Sequence, residues 1–450
     1  MSYYKPYPVY KDTGIEWLGA VPRHWAVLRL KQVLTEQLSY GANAAAEDDD
    51  RSNPRFIRIT DLNEDGALRE ETFKSLPPST AKPYMLRSGD LLLARSGATV
   101  GKSFIYWQEM GPACYAGYLI RARLDKNKCL PKYCWFITQS QYYWGFIGET
   151  SIQATIQNVS GERYANLWLA LPSIDEQQAI VVFLEAESAR IQALIEKKIR
   201  FIELLREKRQ AIITHAVTKG LDPNVPMKDS GVEWLGEVPE HWTVLSFQRR
   251  VYIAEGQVNP EEQPYADMML IAPNHIESGT GRLLYTETAA EQMAESGKYL
   301  CREGDVIYSK IRPALRKACI APADCLCSAD MYPLRGDESL LNHYLLWFLL
   351  SEPFSAFAVL EADRVAMPKI NRESLNALKL ALPPVEEQEQ ISRMLTRATT
   401  RIDALVEKTE RSIELLKEHR SALITAAVTG QIDLRATVAA TSQTDLRKTA

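Results

Sequence analysis

Two short basic segments, each following a predicted strand, are the parts of this 450-residue chain that most suggest chemistry. The first, Ser96-Gly-Ala-Thr-Val-Gly-Lys-Ser103, resembles a phosphate-binding loop. Its two glycines stand four residues apart, whereas the nucleotide-binding pattern G-x-x-x-x-G-K-[ST] places them one residue further apart. The second, Ser309-Lys-Ile-Arg-Pro-Ala-Leu-Arg-Lys317, contains no glycine. The sequence therefore argues against nucleotide hydrolysis at either segment.

Motifs for other catalytic functions are also missing from the sequence. It has neither the Asn-Pro-Pro-Tyr or Asp-Pro-Pro-Tyr segment of an amino-methyltransferase nor a G-x-G-x-x-G dinucleotide loop. Of the six histidines, His24 and His241 recur, each within Pro-x-His-Trp. A catalytic histidine needs a partner nucleophile, and none repeats beside these two. We therefore predict a structural role for both, such as an imidazole that bonds backbone beside the tryptophan.

Binding is the chemistry that remains for the two basic segments. Arginine and lysine can pair with phosphate or with guanine O6 and N7, and glycine lets the backbone come close to a ligand. Asn274 and His275 follow another predicted strand and could read adenine or phosphate. For any single residue, a surface charge at a strand end is an equally open reading, but the matching location of both segments favours contact. The predicted binding residues are Arg95, Ser96, Thr99, Lys102, Asn274, His275, Lys310, Arg312, Arg316 and Lys317.

The elements that must position these segments occur twice in the chain. Lys11–Trp25 returns as Lys228–Trp242, with both tryptophans, both glycines and the Pro-x-His-Trp ending preserved. A second match pairs Leu169–Thr218 with Leu380–Thr429 without a gap. Between these blocks the two halves barely resemble each other. Two similar frames that hold dissimilar inserts indicate a duplicated structural unit that reads two different things.

The second repeated block predicts two long helices, residues 173–219 and 384–430. The first contains no Pro or Gly between Asp175 and Thr218, and Ser173 with Glu176 forms a capping box at its start. At about 1.5 Å per residue each helix is about 65 Å long. Such a helix cannot be buried in an ordinary domain, so it needs a partner along its length, and the other copy is the obvious candidate.

Apolar residues at heptad spacing predict the seam between the two helices. Lys198 and Thr409 occupy equivalent seam positions, where a polar residue either fixes the register or is simply tolerated, the lysine by snorkelling. The predicted seam residues are Leu184, Ile191, Leu194, Ile202, Leu205, Leu395, Ile402, Leu405, Leu416 and Leu423.

The inserts mix short strands with helices and have the size of single domains. We predict recognition domains at residues 1–172 and 228–383, and a flexible tail at 431–450 that is rich in Thr, Ala, Ser and Gln. Aromatic residues in the helical stretches stand at helical spacing, which favours core packing over base stacking. The predicted strands are Arg55–Thr60, Gly89–Ala94, Met268–Ala272 and Gly304–Tyr308, and the helical stretches are Lys132–Phe146 and Asn342–Phe357.

Composition limits the class of protein. A net charge of −4 and a pI near 6.0 argue against a protein that coats nucleic acid non-specifically, but not against a specific reader with segregated charge. Seven cysteines without a Cys-x-x-Cys favour reduced thiols in the cytoplasm over a disulfide framework or a metal site. No apolar run approaches the ~20 residues of a membrane span, so we expect a cytoplasmic protein without membrane contact.

These residues together resemble the specificity subunit of type I DNA restriction–modification enzymes. The resemblance rests on the repeated Gly-x-Glu-Trp-Leu-Gly-x-Val-Pro-x-His-Trp, the repeated Leu-Pro-x-x-x-Glu-Gln, the long helix after each, and Arg-x-Gly-Asp at 87–90 and 302–305. It implies an α+β fold in which two α/β target-recognition domains are joined by two long antiparallel coiled-coil helices, related by a pseudo-two-fold internal repeat.

The resemblance also implies a function and partners. Each recognition domain would read one half of a bipartite, asymmetric double-stranded DNA site, and the chain would catalyse nothing. Two modification (methyltransferase) subunits would supply S-adenosylmethionine chemistry, and motor-nuclease restriction subunits would use ATP and Mg. We therefore expect no cofactor in this chain. Base-contacting residues vary between members, so the family transfers none to this sequence.

Two other functions are weighed against this reading. A coiled-coil scaffold whose globular heads grip proteins would show no bipartite footprint on DNA. A self-contained nuclease or methyltransferase would bind S-adenosylmethionine or cut DNA alone, which the missing motifs disfavour. The sequence does not reveal the DNA sequence recognised, the length of the gap between half-sites, or whether an active restriction subunit accompanies the chain.

Overall fold

The computed structural model describes residues 4–62, 68–151, 158–362 and 368–435. The chain folds as two compact units: unit 1 comprises residues 1–197 and 411–450, and unit 2 comprises residues 198–410. Both long helices therefore contribute to both units. The predicted division at 1–172 and 228–383 did not foresee this, because it treated the helices as separate from the globular cores.

Unit 1 is built from short strands and helices that precede the first long helix, α5. Its strands are β1 Tyr10–Asp12, β2 Ala20–Pro22, β3 Ala26–Arg29, β4 Ser39–Tyr40, β5 Arg55–Ile57, β6 Leu91–Ala94, β7 Ser103–Ile105, β8 Ala113–Tyr115, β9 Leu119–Ala122 and β10 Trp168–Leu171. Its helices are α1 Pro78–Ala81, α2 Pro131–Thr138, α3 Gln141–Ser151, α4 Gly161–Ala165, the first part of α5 Ile174–Lys219 and the second part of the last helix, α9 Val385–Val428.

Unit 2 has a similar order of elements, with two more strands among the described residues. Its strands are β11 Met227–Asp229, β12 Glu237–Pro239, β13 Thr243–Ser246, β14 Val251–Ile253, β15 Gln257–Val258, β16 Leu270–Ile271, β17 Lys298–Cys301, β18 Val306–Ser309, β19 Ala318–Ile320, β20 Cys325–Cys327, β21 Met331–Gly336 and β22 Lys379–Leu382. Its helices are the second part of α5, α6 Asn342–Leu349, α7 Glu352–Ala362, α8 Arg372–Ala377 and the first part of α9 Val385–Val428.

The sheets of the two units share most of their topology despite their dissimilar sequences. Unit 1 has an antiparallel sheet in the order β4-β9-β6-β7 and a parallel pair, β5 with β8. Unit 2 has the matching antiparallel sheet β14-β21-β18-β19. Its matching parallel pair, β16 with β20, is extended by two antiparallel strands into a sheet in the order β15-β17-β20-β16. In each unit, the hairpin of the third and fourth strands of the antiparallel sheet carries one of the predicted basic segments.

The core of unit 1 includes residues from both ends of the chain. Aromatic residues of α2 and α3, among them Tyr133 and Phe136, are buried there, which confirms that core packing is their role. Ile432 and Leu434 are buried in the same cluster, and the Asp433 N–H donates to the Lys5 carbonyl at 2.7 Å. The prediction of a flexible tail from residue 431 is therefore wrong for residues 431–435, and the rest of that tail lies outside the described residues.

The two long helices match their predicted bounds within one or two residues, but the predicted seam is wrong at two equivalent positions. Leu194 is 40% exposed and Leu405 is 46% exposed. The next residue is the more buried one in each case: Ile195 is only 4% exposed, and Val406 is half-buried. The apolar face continues four residues after Ile191 rather than three, and a heptad pattern with adjacent apolar residues does not distinguish these two choices. The other predicted seam residues are buried or half-buried: Leu184, Ile191, Ile202, Leu205, Leu395, Ile402, Leu416 and Leu423.

Within each unit the two long helices are neighbours. In unit 2, Arg209 Nε donates to Asp403 Oδ1 at 2.9 Å, and Arg206 donates to Glu410 at 3.1 Å. Arg209, which follows Arg206 in α5, bonds a residue that precedes Glu410 in α9, so the two segments are antiparallel there. In unit 1, Arg420 donates to Gln192 at 3.1 Å.

Among the described residues, no single helix is long and apolar enough to cross a bilayer. The bent pair α6 and α7 meets the criteria for a span by length and composition only.

Candidate nucleic-acid interface

The repeated Pro-x-His-Trp block is tied to the start of a long helix through a carboxylate. In unit 1, Glu176 lies 3.0 Å from the His24 Nε2 atom and accepts a 3.3 Å bond from Trp25 Nε1. It also accepts a 2.6 Å bond from the Tyr7 hydroxyl, and burial together with this bond raises the pKa of Tyr7. The predicted capping box is half formed: the Glu176 N–H donates to Ser173 Oγ at 3.4 Å, while its carboxylate serves this junction.

Unit 2 repeats the junction with Glu387. Its carboxylate lies 2.8 Å from His241 Nε2 and accepts a 3.1 Å bond from Trp242 Nε1. The predicted structural role of the repeated histidines agrees with this geometry, but the predicted partner was wrong, since the imidazole meets a side-chain carboxylate and not backbone. The two junctions fix the same block to the same turn of each long helix.

The Arg-x-Gly-Asp motif anchors the strand that leads into each basic segment. Asp90 accepts the Arg87 N–H at 2.8 Å and two bonds from Arg123, at 2.8 and 2.7 Å. Asp305 accepts two bonds from Arg335, both at 2.7 Å. Both carboxylates are buried, so these bidentate pairs are strong and geometrically specific. They hold β6 and β18 in equivalent positions.

In unit 1 the basic segment forms the turn of the β6–β7 hairpin. Arg95 lies over the Tyr40 ring at 4.8 Å, and its Nε is 3.5 Å from the Asn158 amide oxygen. Ser96 pairs with Asn158 in an isolated bridge. Thr99 Oγ1 is buried, and among the described residues it has no hydrogen-bond partner. Lys102 is half-buried at the end of the turn. The predicted residues of unit 1 are thus brought together on one turn.

The two glycines of this turn allow its backbone conformation. Gly97 and Gly101 have φ of +75° and +83°, in the left-handed region that favours glycine. A Cβ at Gly101 would lie 2.9 Å from the Trp144 ring, and the Gly101 carbonyl accepts a 2.8 Å bond from the Tyr143 hydroxyl. Gly101 therefore lets the backbone approach α3, which is a different use from the predicted close approach to a ligand.

In unit 2 the equivalent turn joins β18 to β19 and presents two basic residues. Lys310 lies over the Tyr332 ring at 5.3 Å, as Arg95 lies over Tyr40 in unit 1. Arg312 is exposed and has φ of +48°, and no side-chain bond is recorded for it among the described residues. Its guanidinium can therefore bond a ligand without first giving up a protein partner.

The other two predicted residues of this turn hold the protein together. Arg316 Nε donates to Ser355 Oγ at 2.9 Å, and its guanidinium also pairs with Glu352. Lys317 Nζ donates to the Pro273 carbonyl at 2.6 Å. The expectation that all four basic residues face a ligand is therefore wrong for two of them. The Arg316 side chain bonds α7, and the Lys317 side chain bonds the turn that contains Pro273.

Asn274 and His275 lie on the short 3-10 turn Pro273–His275, and they have opposite exposures. Asn274 is exposed, and its amide donates to the Tyr285 hydroxyl at 2.7 Å. His275 is 0% exposed, its Nδ1 accepts the Ala272 N–H at 3.3 Å, and its ring packs on Tyr285. Burial removes His275 from the candidate contacts, because its ring closes the turn from inside.

Sequence reasoning missed several residues that lie beside the two turns. The Arg95 N–H donates to the Tyr118 carbonyl, and the equivalent Lys310 N–H donates to the Asp330 carbonyl, each at 3.0 Å. Tyr118 and Asp330 are both exposed. Arg372 lies over the Tyr332 ring at 5.2 Å. Each of these contacts joins distant parts of the chain, so periodicity and spacing gave no signal for them.

In unit 2, Arg249, Arg250, Arg335 and Arg372 line a polar groove of about 750 Å³. Three of these guanidinium groups are already paired within unit 2: Arg250 with Asp337, Arg335 with Asp305 and Arg372 with Glu255. No group of three His, Cys, Asp or Glu side chains among the described residues could hold a metal ion.

Comparisons with known proteins agree with this geometry. The family model for the type I restriction modification DNA specificity domain matches residues 22–204 and 257–415. The EcoDI specificity subunit of Escherichia coli is 28% identical over 301 residues, covering 64% of this chain and 67% of that protein. A putative MjaX specificity subunit of Methanocaldococcus jannaschii is 22% identical over 439 residues, covering 93% of this chain and 96% of that protein.

Solved structures share the fold. A chain from a study of complex assembly and conformational transition of the type I R-M system has a TM-score of 0.71 at 17% identity, covering 92% of this chain and 99% of that one. The HsdS subunit from Thermoanaerobacter tengcongensis has a TM-score of 0.54 at 17% identity, covering 92% of this chain and 98% of that one. Since the family model matches most of the sequence, in both halves, the chain belongs to the family of type I restriction–modification DNA specificity proteins.

Proposed function

We propose that this chain is the DNA specificity subunit of a type I restriction–modification complex, and that each unit reads one half of a bipartite, asymmetric double-stranded site. One observation carries the proposal: two units with matching antiparallel sheets and the same anchoring pairs present unlike side chains at equivalent turns. A shared frame gives both units the same way of docking on a duplex, and unlike turns give each unit its own base preference.

Arg95, Lys102, Asn274, Lys310 and Arg312 are the side chains we assign to DNA. Arginine can read guanine O6 and N7 with two bonds, and asparagine can read adenine in the same way. Lys102 is suited to phosphate, where it would contribute affinity without sequence information. Ser96 is half-buried on the same turn, and the Thr99 hydroxyl is buried there.

We also propose that α5 and α9 form the spacer that sets the distance between the half-sites. The antiparallel contacts of the two helices within unit 2, and the buried seam positions of each helix, support this role. A paired helix is far stiffer than a loop, so the gap in the DNA site would follow helix length.

The chain itself would catalyse nothing. We infer that two modification subunits bring S-adenosylmethionine and methylate the site in the cytoplasm, and that restriction subunits bring ATP and Mg chemistry. The names and descriptions of the relatives and structural neighbours, which are specificity subunits and an assembled type I system, favour these partners. A protein-interaction scaffold without DNA readout is the weaker alternative.

Helix length gives a direct test of this function. One heptad inserted into each helix, after Lys198 and after Thr409, keeps the seam in phase and lengthens each helix by about 10 Å. At about 3.4 Å per base pair along the duplex, the gap should grow by about three base pairs, and both half-sites should stay the same. The readout is methylation of a random DNA library by the chain reconstituted with its modification subunits.

A matched control replaces the same heptads with other heptads of equal length. It should leave the gap unchanged. Methylation at the original spacing by the lengthened chain would show that the helices do not set the gap. Absence of sequence-specific binding by the unaltered complex would favour the scaffold alternative.

A further inference from the structure

Each of the two basic turns has an exposed neighbour at an equivalent place. In unit 1 the Arg95 N–H donates to the Tyr118 carbonyl, and in unit 2 the Lys310 N–H donates to the Asp330 carbonyl, each at 3.0 Å. Tyr118 is 60% exposed, and Asp330 is also exposed. The backbone therefore fixes Tyr118 and Asp330 directly beside residues that we assign to DNA.

The local turn that carries each neighbour is also the same in the two units. It comprises residues 116–119 in unit 1 and residues 328–331 in unit 2, and in both the N–H of the last residue donates to the carbonyl of the first at 2.9 Å. Each turn directly follows a strand of the parallel pair, β8 or β20. Tyr118 and Asp330 are the third residues of these turns. Equivalent backbone thus presents an aromatic ring in unit 1 and a carboxylate in unit 2.

The Asp330 carboxylate has no hydrogen-bond or ion-pair partner among the described residues, since the one side-chain bond of Asp330 runs from its N–H to Ser328 Oγ at 3.3 Å. Lys310 and Arg312 lie on the adjacent turn, yet neither forms an ion pair with it in the described part of the chain. A carboxylate that served to balance these two cations would pair with one of them. The Asp330 carboxylate is therefore available to a donor from outside the protein.

An ionised carboxylate beside a duplex is selective because it accepts hydrogen bonds and donates none. Phosphates repel it, and guanine O6 and N7 and thymine O4 are acceptors that cannot satisfy it. The major-groove amino groups of cytosine N4 and adenine N6 can donate to it. A charged group that is left without a bond at an interface is costly, so the carboxylate would separate two classes of bases.

We propose that Asp330 is a specificity-determining residue, which selects a base with an exocyclic amino group, cytosine or adenine, at one position of the half-site read by unit 2. Tyr118 is its counterpart in unit 1, where an aromatic ring can contact a thymine methyl group but does not impose the same selection. The inference rests on the proposed function and adds to it the class of base that one position accepts.

Charge reversal at Asp330 tests the inference in the full chain reconstituted with its modification subunits. Selection from a random duplex library by the unaltered complex should return cytosine or adenine at the affected position. Asp330→Lys should change that position to guanine, because an ammonium donates to O6 and N7, and should disfavour the original base roughly tenfold. Asp330→Asn should favour adenine there, since an amide can bond N6 and N7 together.

Asp330→Ala separates base readout from a structural role. It should weaken binding to the preferred site roughly tenfold, because the bond to the amino group is lost. Binding to duplexes that lack the site should stay the same or become tighter, because a charge that repels phosphate has been removed. Competition measured by fluorescence anisotropy gives both affinities, and thermal unfolding checks that the variant is folded.

Glu338→Lys is the matched control, because Glu338 is exposed at the opposite end of β21 from Asp330. It should leave every base position unchanged, while Tyr118→Ala should alter the other half-site only. An unchanged base preference in Asp330→Lys, the same change in the control, or guanine or thymine as the original base would overturn the inference. So would equal weakening of all duplexes in Asp330→Ala. The proposed function fails separately, if the unaltered complex selects no sequence at all.

Discussion

The β6–β7 turn of unit 1 and the β18–β19 turn of unit 2 occupy equivalent places but are built differently. Unit 1 uses glycines at positive φ and packs Gly101 against the Trp144 ring. Unit 2 has no glycine in its turn and instead holds Arg312 and Arg316 at φ of +48°. A non-glycine residue in this region costs roughly 1–2 kcal/mol, so surrounding contacts must hold the turn in place. Arg316 supplies such contacts through Ser355 and Glu352.

The comparison distinguishes the buried contacts that hold each turn in place from the side chains that the turn presents. The buried Asp90–Arg123 and Asp305–Arg335 pairs, and the Glu176 and Glu387 junctions, are the same in both units. The side chains at the tips of the turns are not. In a duplicated chain, the side chains at the tip of each turn can therefore change while the buried contacts that position the turn stay the same.

We expect the largest effect on the free energy of unfolding from substitutions that break the buried Asp–Arg pairs. Asp90→Ala and Asp305→Ala each leave an arginine without its buried partner, so each should lower the free energy of unfolding by about 3 kcal/mol. Chemical denaturation of the purified chain measures it. The exposed Asp49→Ala serves as the control and should change stability by less than about 0.5 kcal/mol. If either substitution leaves the free energy of unfolding unchanged, the two buried pairs do not have equivalent roles.

A smaller effect should separate the two readers. Arg95→Ala and Arg312→Ala should each relax one base position, at a cost of roughly 1–3 kcal/mol in binding. We expect Arg95→Ala to alter one half-site and Arg312→Ala the other, measured by selection from a random duplex library. Loss in both half-sites from a single substitution would contradict separate readers.

The smallest effects should distinguish the two lysines. Lys102→Ala should weaken binding to all sequences and reduce the salt dependence by about one charge. Lys317→Ala should instead lower the stability of unit 2 by about 1 kcal/mol, since its ammonium bonds the Pro273 carbonyl. Salt titration of DNA binding together with thermal unfolding measures both. Equal loss of DNA affinity from the two substitutions would show that Lys317 also faces the duplex.

The sequence alone predicted the parts of the fold that depend on local pattern. Long segments without proline or glycine and a gapless repeat predicted α5 and α9 closely. The repeated block and the Arg-x-Gly-Asp motif marked the anchoring residues, although not their partners. The error at Leu194 and Leu405 arose because each is followed by another apolar residue, so the seam could run through either position.

The candidate site was less predictable, because its geometry depends on contacts between distant residues. Lys317 and Pro273 are 44 positions apart in the chain, and no local pattern indicates that they bond. His275 stands directly beside the exposed Asn274, yet the short 3-10 turn sends its ring into the core. Ile432 and Leu434 are buried for a similar reason, since this segment packs against residues near the opposite end of the chain.

An exchange of inserts tests the central claim most directly. In this hybrid, Ala26–Asn166 is replaced by a second copy of Thr243–Ala377, while both frames and both helices are kept. Methylation mapping of a random library with the modification subunits should then reveal an inverted repeat of a single half-site, separated by the unaltered gap. If the hybrid still directs methylation to two unlike half-sites, the inserts are not the readers.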